Sequence, residues 1–385
     1  MNQYSYYKTE NIIGKLLISQ FESDHIKDVL ELGAGTGSLI EAAIDRWSNL
    51  RITASEIDPD RCIELNDKFP QINLLKGDSL ELLNNKLAKT CSYDLAICNP
   101  PYLKYPINEQ YIDLLNSSGF PSCTGLKNIP ADILFVAKNM LLLRNKGEMG
   151  VIVPDSLITG KQYECFRKDL IKNFSVKKII QLPERIFSKT EALTHIIIIK
   201  KDISVSDSIK VESANDIGKV VNSLLINKSN FISRGDFKYW NWFGKHRQKT
   251  NTLEAIGAKI SRGTSTHKEL KNSLTEYFHT TSFVKNAIET IASYDDDLEG
   301  YRCAKSGDIL IARVGKRCIG NVAMITSGYI PISDCIYKIS VPKKYRKKVL
   351  KAMTSKMGQK WFTAHAHGVC SQVISLSDLM KFDFN

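Results

Sequence analysis

The first two hundred residues alternate short apolar runs with longer amphipathic ones, and this alternation restricts the fold more than any other feature of the chain. Residues 28–34 (DVLELGA) read as a buried strand, 38–47 as a helix and 51–58 as a second strand. A helix from Asp60, a short strand at 72–78 and a fourth strand at 93–101 follow. The pattern continues with a helix over 132–143, a strand at 149–154, a helix over 164–173, and strands at 176–183 and 195–201. Strands separated by helix-length segments predict an α/β fold with a doubly wound, mostly parallel sheet. The β-branched run 196–199 reads as a strand covered on both faces.

At 385 residues the chain is long enough for two cores, and the pattern changes after Lys201. Ser- and Asn-rich sequence leads to an aromatic knot, FKYWNWF at 237–243. We therefore expect a first domain over 1–205, a connecting segment over 206–249 and a second, α+β domain over 250–385. Charge divides the same way. Residues 1–201 hold 25 Lys and Arg against 24 Asp and Glu, whereas residues 202–385 hold 28 against 17. A neutral half joined to a basic half suggests a catalytic unit with a polyanion-binding unit, since Lys and Arg supply most non-specific affinity for nucleic acid. Nine scattered cysteines, never in a CxxC spacing, point to free thiols in a reducing compartment and to no structural metal. His365 and His367 lack a third ligand in pattern and read as polar loop residues. Without a run of roughly 18–20 apolar residues or a basic-then-apolar leader, a cytoplasmic protein with no membrane partner is expected.

The chemistry concentrates at three strand ends. In Leu30–Gly37 (LELGAGTG), Gly33, Gly35 and Gly37 let the backbone turn sharply and approach a ligand at the start of the next helix. The spacing is GxGxG, with Glu31 two positions before the first glycine, not the GxGxxG of a dinucleotide site. That favours S-adenosyl-L-methionine, which has no pyrophosphate to place on a helix terminus. Glu56, 19 residues past Gly37, can accept both ribose hydroxyls, and Asp78 can accept from an adenine amine. At the end of the fourth strand stands Asn99-Pro100-Pro101-Tyr102. Two prolines stiffen the backbone, so the Asn99 side-chain oxygen and the Pro100 carbonyl can form a fixed pair of acceptors for an exocyclic amine. Tyr102 offers a ring on which a base can stack.

These residues resemble the amino-group methyltransferases of restriction-modification systems, especially the gamma class of N6-adenine DNA methyltransferases. The resemblance covers residues from about 8 to 201: Thr9 before the first strand, the glycine loop, Glu56, Asp78, the Asn-Pro-Pro-Tyr segment, 146–154, and Leu182–Phe187 before the Ile-rich strand. It implies a seven-stranded class I methyltransferase sheet. The implied cofactor contacts are Thr9, Glu31, Gly33, Ala34, Gly35, Gly37, Glu56, Ile57, Asp78, Ser79 and Asn99. The implied catalytic set is Asn99, Pro100, Pro101 and Tyr102, with Phe187 stacking on the opposite face of a flipped adenine. Transfer would be direct, from S-adenosyl-L-methionine to N6, by positioning and by acceptors for the charge on nitrogen. Cytosine C5 chemistry would need Cys after Pro; the nearest approach, Pro121-Ser122-Cys123, makes Cys123 incidental.

The basic half is similar to the target recognition domains of type I specificity subunits at 253–263, 307–315 and 368–379. By that resemblance Arg262, Arg313, Lys316, Arg317, Lys343 and Lys344 are candidates to contact double-stranded DNA, with Arg346, Lys347 and Lys348 beside them. A cognate restriction endonuclease, separately encoded, is an implied partner. Three alternatives remain at this point: an N-methyltransferase of RNA or of protein glutamine using the same site, a nicotinamide oxidoreductase, and a catalytically silent DNA-specificity module. The glycine spacing opposes the second and the intact Gly33, Glu56, Asp78, Asn99 set opposes the third.

Overall fold

A computed structural model describes residues 9–81, 92–184, 186–187, 192–203, 205–246, 251–273, 276–285, 287–368 and 371–384. Lys8, Cys91, Arg185 and Cys370 lie outside the described residues. The chain divides into two units, Met1–Trp240 and Asn241–Asn385. No described helix is long and apolar enough to cross a membrane.

The first unit contains β1 (Asp28–Leu32), β2 (Arg51–Glu56), β3 (Asn73–Lys76), β4 (Tyr93–Cys98), a short antiparallel pair β5 (Lys104–Pro106) and β6 (Asn128–Pro130), and β7 (Leu143–Pro154). It continues with β8 (Ser175–Gln181), β9 (Thr194–Lys200), β10 (Ser208–Ala214) and β11 (Val220–Asn227). Nine of these form one sheet in the order β11-β10-β8-β9-β7-β4-β1-β2-β3. β3, β2, β1, β4 and β7 run parallel, and β9 is antiparallel to both β7 and β8.

Alternate residues of the central strands serve two cores. Leu30, Leu32, Ala96, Cys98, Val151 and Val153 join one buried cluster, while Val29, Leu95, Ile97 and Ile152 join another. The strands read as continuous apolar runs because helices cover both faces. The long helices begin and end close to where the sequence pattern places them, at Ser38–Arg46, Pro59–Lys68, Ala131–Leu142 and Glu164–Asn173.

Two expectations are corrected. The sheet has nine strands instead of seven, and the segment 206–249 is not a connector: it supplies β10, β11 and the helices Lys228–Ser233 and Phe237–Lys245. Polar composition hid the strands. In SIKVESA only Ile209, Val211 and Ala214 carry apolar side chains inward, and they are buried once β10 pairs in parallel with β8. His365 is also not in a loop. It ends the helix Lys356–His365, with its ring stacked on Trp361 at 3.8 Å and Nδ1 bonded to the Trp361 carbonyl.

The second unit is α+β. Its strands are β12 (Lys259–Arg262), β13 (Glu289–Ile291), β14 (Cys303–Lys305), β15 (Ile309–Ala312), β16 (Val322–Ser327), β17 (Tyr329–Pro331) and β18 (Ile336–Ser340). Five form a sheet in the order β12-β18-β15-β16-β13, and β14 pairs with β17. Helices Arg346–Thr354 and Lys356–His365 contribute Val349, Met353, Trp361 and Phe362 to the core that also holds Ile309, Ile311 and Ile339.

Candidate active site

The sheet order places β4 directly beside β1, in register from Val29↔Leu95 to Glu31↔Ile97. From this pair β2 and β3 run to one side and β7 and its neighbours to the other, so β1 and β4 flank the point where the winding reverses. Ligands of open α/β sheets bind at the carboxyl ends of the strands there. The glycine loop leaves β1 and the Asn-Pro-Pro-Tyr segment leaves β4 at that edge.

The loop is held from below. Backbone N–H groups of Gly33 and Ala34 both donate to the Ser55 carbonyl at 2.9 Å, and Gly35 N–H donates to Glu56 Oε2 at 2.7 Å. The loop glycines sit at φ of 74°, 59° and 74°, a region that L side chains rarely adopt. A Cβ on Gly37 would also stand 2.5 Å from the Phe69 ring. Glycine there serves both the turn and the approach of the helix Pro59–Lys68.

Under the loop lies a small pocket lined by Thr9, Glu31, Gly33, Ala34, Ser38, Leu39 and Asn99. Glu31 is buried, and its Oε2 has no hydrogen-bond partner among the described residues. Burial, and then the charge of Glu56, hold the Glu31 carboxyl well above the usual carboxylate range. An orphaned buried carboxylate oxygen in a pocket of this kind fits a ligand ammonium, such as the α-amino group of the cofactor.

Glu56 has a task that sequence reasoning missed. Its Oε2 accepts from Gly35, while Oε1 accepts from Ile57 and Asp58 N–H at 3.0 and 2.9 Å. Three of about four acceptor positions therefore fix the loop, and one remains for a ribose hydroxyl. Ile57 is exposed beside it, an apolar surface suited to a base. Asp78 is half-buried and its Oδ1 accepts from Leu80 N–H.

Ser79 departs from expectation. It is buried, and its hydroxyl meets that of Ser55 at 2.7 Å, so its side chain ties two strand ends together. Lys138, which no local motif marks, reaches up from the helix Ala131–Leu142 and donates to the Leu80 carbonyl at 2.7 Å. Burial pulls its pKa down to about 7.

At β4, Asn99 Nδ2 donates to Thr9 Oγ1 at 3.1 Å. The amide is thereby oriented with its oxygen as the acceptor end. Pro100 is buried, and Pro101 and Tyr102 are half-buried. Phe187 is only 3% exposed and belongs to the cluster that holds Leu182 and Ile196, so the structure presents it as a core residue and not as a stacking surface. Burial also pushes up the thiol of Cys98, and a hydrogen bond to Cys165 followed by burial does the same for Cys123, which leaves neither as a ready nucleophile. Asp132, two residues past β6, is buried with its carboxyl pushed up to about 7 by desolvation.

Comparison with known proteins shows what this arrangement is similar to. Residues 17–187 match the model described as Eco57I restriction-modification methylase. The chain is similar to the type II methyltransferase M.BsuBI of Bacillus subtilis, 24% identical over 336 residues, spanning 73% of this chain and 64% of that one. It is also similar in fold to a type I restriction-modification methyltransferase subunit from Streptococcus thermophilus, with TM-score 0.50, 16% identity, and 61% and 59% of the two chains covered. The type IIG restriction endonuclease BpuSI shares the fold over 99% of this chain and 59% of its own, with TM-score 0.55 and 12% identity. The chain thus spans less than two thirds of the length of each of these three.

The similarity to methylases implies S-adenosyl-L-methionine as the cofactor, and the glycine loop, Glu31 and Glu56 form a cradle of suitable chemistry. Thr9, which meets Asn99, lies outside the matched stretch. Among the described residues no group of three or more His, Cys, Asp and Glu gathers as a metal site would.

In the second unit of the methylase the expected DNA-contact residues divide. Arg262 and Arg313 both turn onto Asp334: Arg262 bonds its carbonyl and carboxylate at 2.9 and 2.8 Å, and Arg313 bonds the carbonyl at 2.9 Å while lying over the Tyr337 ring. These two arginines act first as framework. Lys316 is half-buried, whereas Arg317, Lys343 and Lys344 are exposed.

Proposed function

We propose that the chain transfers a methyl group from S-adenosyl-L-methionine to the N6 amino group of an adenine flipped out of double-stranded DNA, as the modification partner of a separately encoded restriction endonuclease. One observation carries the reading: Asn99, oriented by Thr9, stands with Pro100 at the end of β4, next to the glycine loop of β1. When bound, S-adenosyl-L-methionine supplies an electrophilic methyl group on a sulfonium.

The rest falls to this chain. The Asn99 side-chain oxygen and the Pro100 carbonyl accept the two N–H bonds of the amine and turn its lone pair toward the methyl carbon. As the N6–methyl bond forms and the methyl–sulfur bond breaks, releasing S-adenosyl-L-homocysteine, the same acceptors stabilise the positive charge on nitrogen without reorganisation, and the surplus N6 proton then leaves to water. Tyr102 stacks on the extruded base and offsets part of the unstacking cost of a few kcal/mol. Phe187 would have to turn out of its core cluster to meet the opposite face, so Tyr102 carries the stacking in this reading. Glu31 receives the cofactor ammonium, Glu56 holds the loop and a ribose hydroxyl, and Asp78 receives the adenine amine of the cofactor.

The test is to incubate the purified chain with labelled S-adenosyl-L-methionine and unmethylated genomic DNA, and to identify the nucleoside product by mass spectrometry. N6-methyladenine is expected. Transfer only to RNA or to protein would overturn the reading.

A further inference from the structure

We propose that the second unit reads DNA sequence through two stacked histidines, His267 and His279, and that Arg262 and Arg313 serve as the frame for this reader. The inference rests on the reading of DNA as substrate.

The imidazole rings of His267 and His279 lie 4.3 Å apart and 23° from parallel. Each ring is held by a hydroxyl at Nδ1: Tyr277 on His267 at 2.8 Å, and Ser333 on His279 at 2.7 Å. Tyr277 also packs its ring edgewise against His267 at 5.8 Å. The loops that carry these groups are themselves joined. Phe278 bridges Ile332, Ser265 bridges Ser333, and Asp334 N–H donates to the Ser265 carbonyl at 2.8 Å. Thr266 and Glu269 form a capping box that fixes the backbone at His267.

With Nδ1 engaged by a hydroxyl on each ring, Nε2 is the polar atom each ring can turn to a ligand. His267 is exposed and His279 half-buried. Rings held this firmly, with one polar atom each left to offer, are organised for a ligand. A metal does not suit them: nearly parallel rings direct their in-plane lone pairs side by side instead of onto a common point. Phosphate does not suit them either. Burial, and then His267 alongside, keep the pKa of His279 below its ordinary value, so near neutral pH it offers a hydrogen bond and not a charge.

Base edges do suit them. Successive base pairs of duplex DNA rise by about 3.4 Å. Two rings stacked at nearly that spacing can present Nε2 to adjacent pairs, where the major groove displays N7, O6 and O4 acceptors and amino donors. The frame explains the arginines that sequence reasoning favoured. Arg262 and Arg313 close on Asp334, one residue from the Ser333 that holds His279. Arg317 is exposed in the same unit. The unit around this cluster holds 23 Lys and Arg against 12 Asp and Glu, the balance that a DNA duplex requires of its partner.

The experiment selects bound sequences from a randomised duplex library with the full chain, its His267→Ala, His279→Ala and Tyr277→Phe variants, and measures methyl transfer to genomic DNA in parallel. The wild type is expected to enrich one motif. The alanine variants are expected to lose discrimination by about tenfold at one or two adjacent positions while keeping the rest of the motif. Tyr277→Phe, which keeps the packing and removes only the hydroxyl, is expected to relax the position read by His267. Cofactor binding by calorimetry should be unchanged in all three, which separates lost reading from lost folding. An identical motif from wild type and variants overturns the inference and leaves DNA methylation standing. A wild type that enriches no motif also overturns it, and the parallel transfer assay then decides the fate of the DNA reading by itself.

Discussion

The two units handle charge and function differently. Met1–Trp240 holds 30 Lys and Arg against 29 Asp and Glu, while Asn241–Asn385 holds 23 against 12. The structural boundary therefore collects the whole basic excess of the second half into one unit, since the 5 basic and 5 acidic residues of 202–240 cancel. In the first unit the candidate site stands on the ends of β1, β2 and β4, strands buried on both faces. In the second, the polar residues of interest sit on loops joined by isolated bridges such as Ser265 to Ser333 and Phe278 to Ile332. Rigid strand ends suit chemistry that must position an amine against a methyl carbon, whereas loops on a basic unit suit a target that varies in sequence.

This contrast can be broken most directly at Asn99. Asn99→Ala should lower methyl transfer by about a hundredfold or more with cofactor affinity retained, as expected when a transition-state acceptor is removed. Equal loss of cofactor binding in calorimetry would show that the residue belongs to the cradle instead.

Glu31→Gln should act in the opposite sense, weakening cofactor binding by roughly tenfold or more through the lost partner of a buried ammonium. Because burial and Glu56 raise the Glu31 pKa, wild-type affinity should climb with pH as the carboxylate forms, while the variant's affinity stays flat. Parallel pH profiles for the two proteins would remove Glu31 from the ammonium site.

Gly37→Ala tests the loop itself. Its positive φ and the nearby Phe69 ring predict a loss of about 1–3 kcal/mol of stability along with weaker cofactor binding. Denaturant midpoints unchanged from wild type would mean that the loop can relax.

Asp132 gives a smaller, pH-dependent effect. Its folded carboxyl titrates at about 7 against an ordinary value of 3.8, so between these values the folded state keeps a proton that the unfolded state releases. The stability linked to this group is present at low pH and lost as pH rises through about 7. Asp132→Asn should therefore flatten the decline of melting temperature between pH 5 and 7, and a decline as steep as in wild type would count against the buried proton.

The smallest effect sharpens the comparison in the second unit. Alanine at Lys343, Lys344, Lys347 and Lys348 should reduce the salt dependence of DNA binding by up to about one unit of slope per lost phosphate contact. Arg262→Ala, which opens a half-exposed ion pair with Asp334, should instead cost about 0–1 kcal/mol of stability. An unchanged slope in the lysine variant would mark that cluster as solvated surface.

Much of the first unit was legible in the residues. The central strands and long helices followed from apolar runs and amphipathic periods, and the glycine loop, Glu56, Asp78 and Asn99 from their order at strand ends. Ser79 was not, because a small polar residue after a strand end looks the same whether it faces a ligand or meets Ser55 across the sheet. Phe187 failed for a related reason: an aromatic near a site and an aromatic in a core share one letter, and only packing separates them. β10 and β11 escaped detection because these last two strands at one end of the sheet carry many polar residues, which read as a loop.

By itself the sequence determined the fold class, the glycine turn, the chemistry available at each strand end and the place where charge accumulates, since each depends on neighbours in the chain. Only the tertiary structure decided which strand ends meet. Strand order placed β4 beside β1 and brought Thr9 to Asn99 across 90 residues, and loop convergence stacked His267 on His279 and closed Arg262 and Arg313 on Asp334. Contacts of that range are selected by the burial of whole faces and the pairing of whole strands, and no local pattern of residues encodes them.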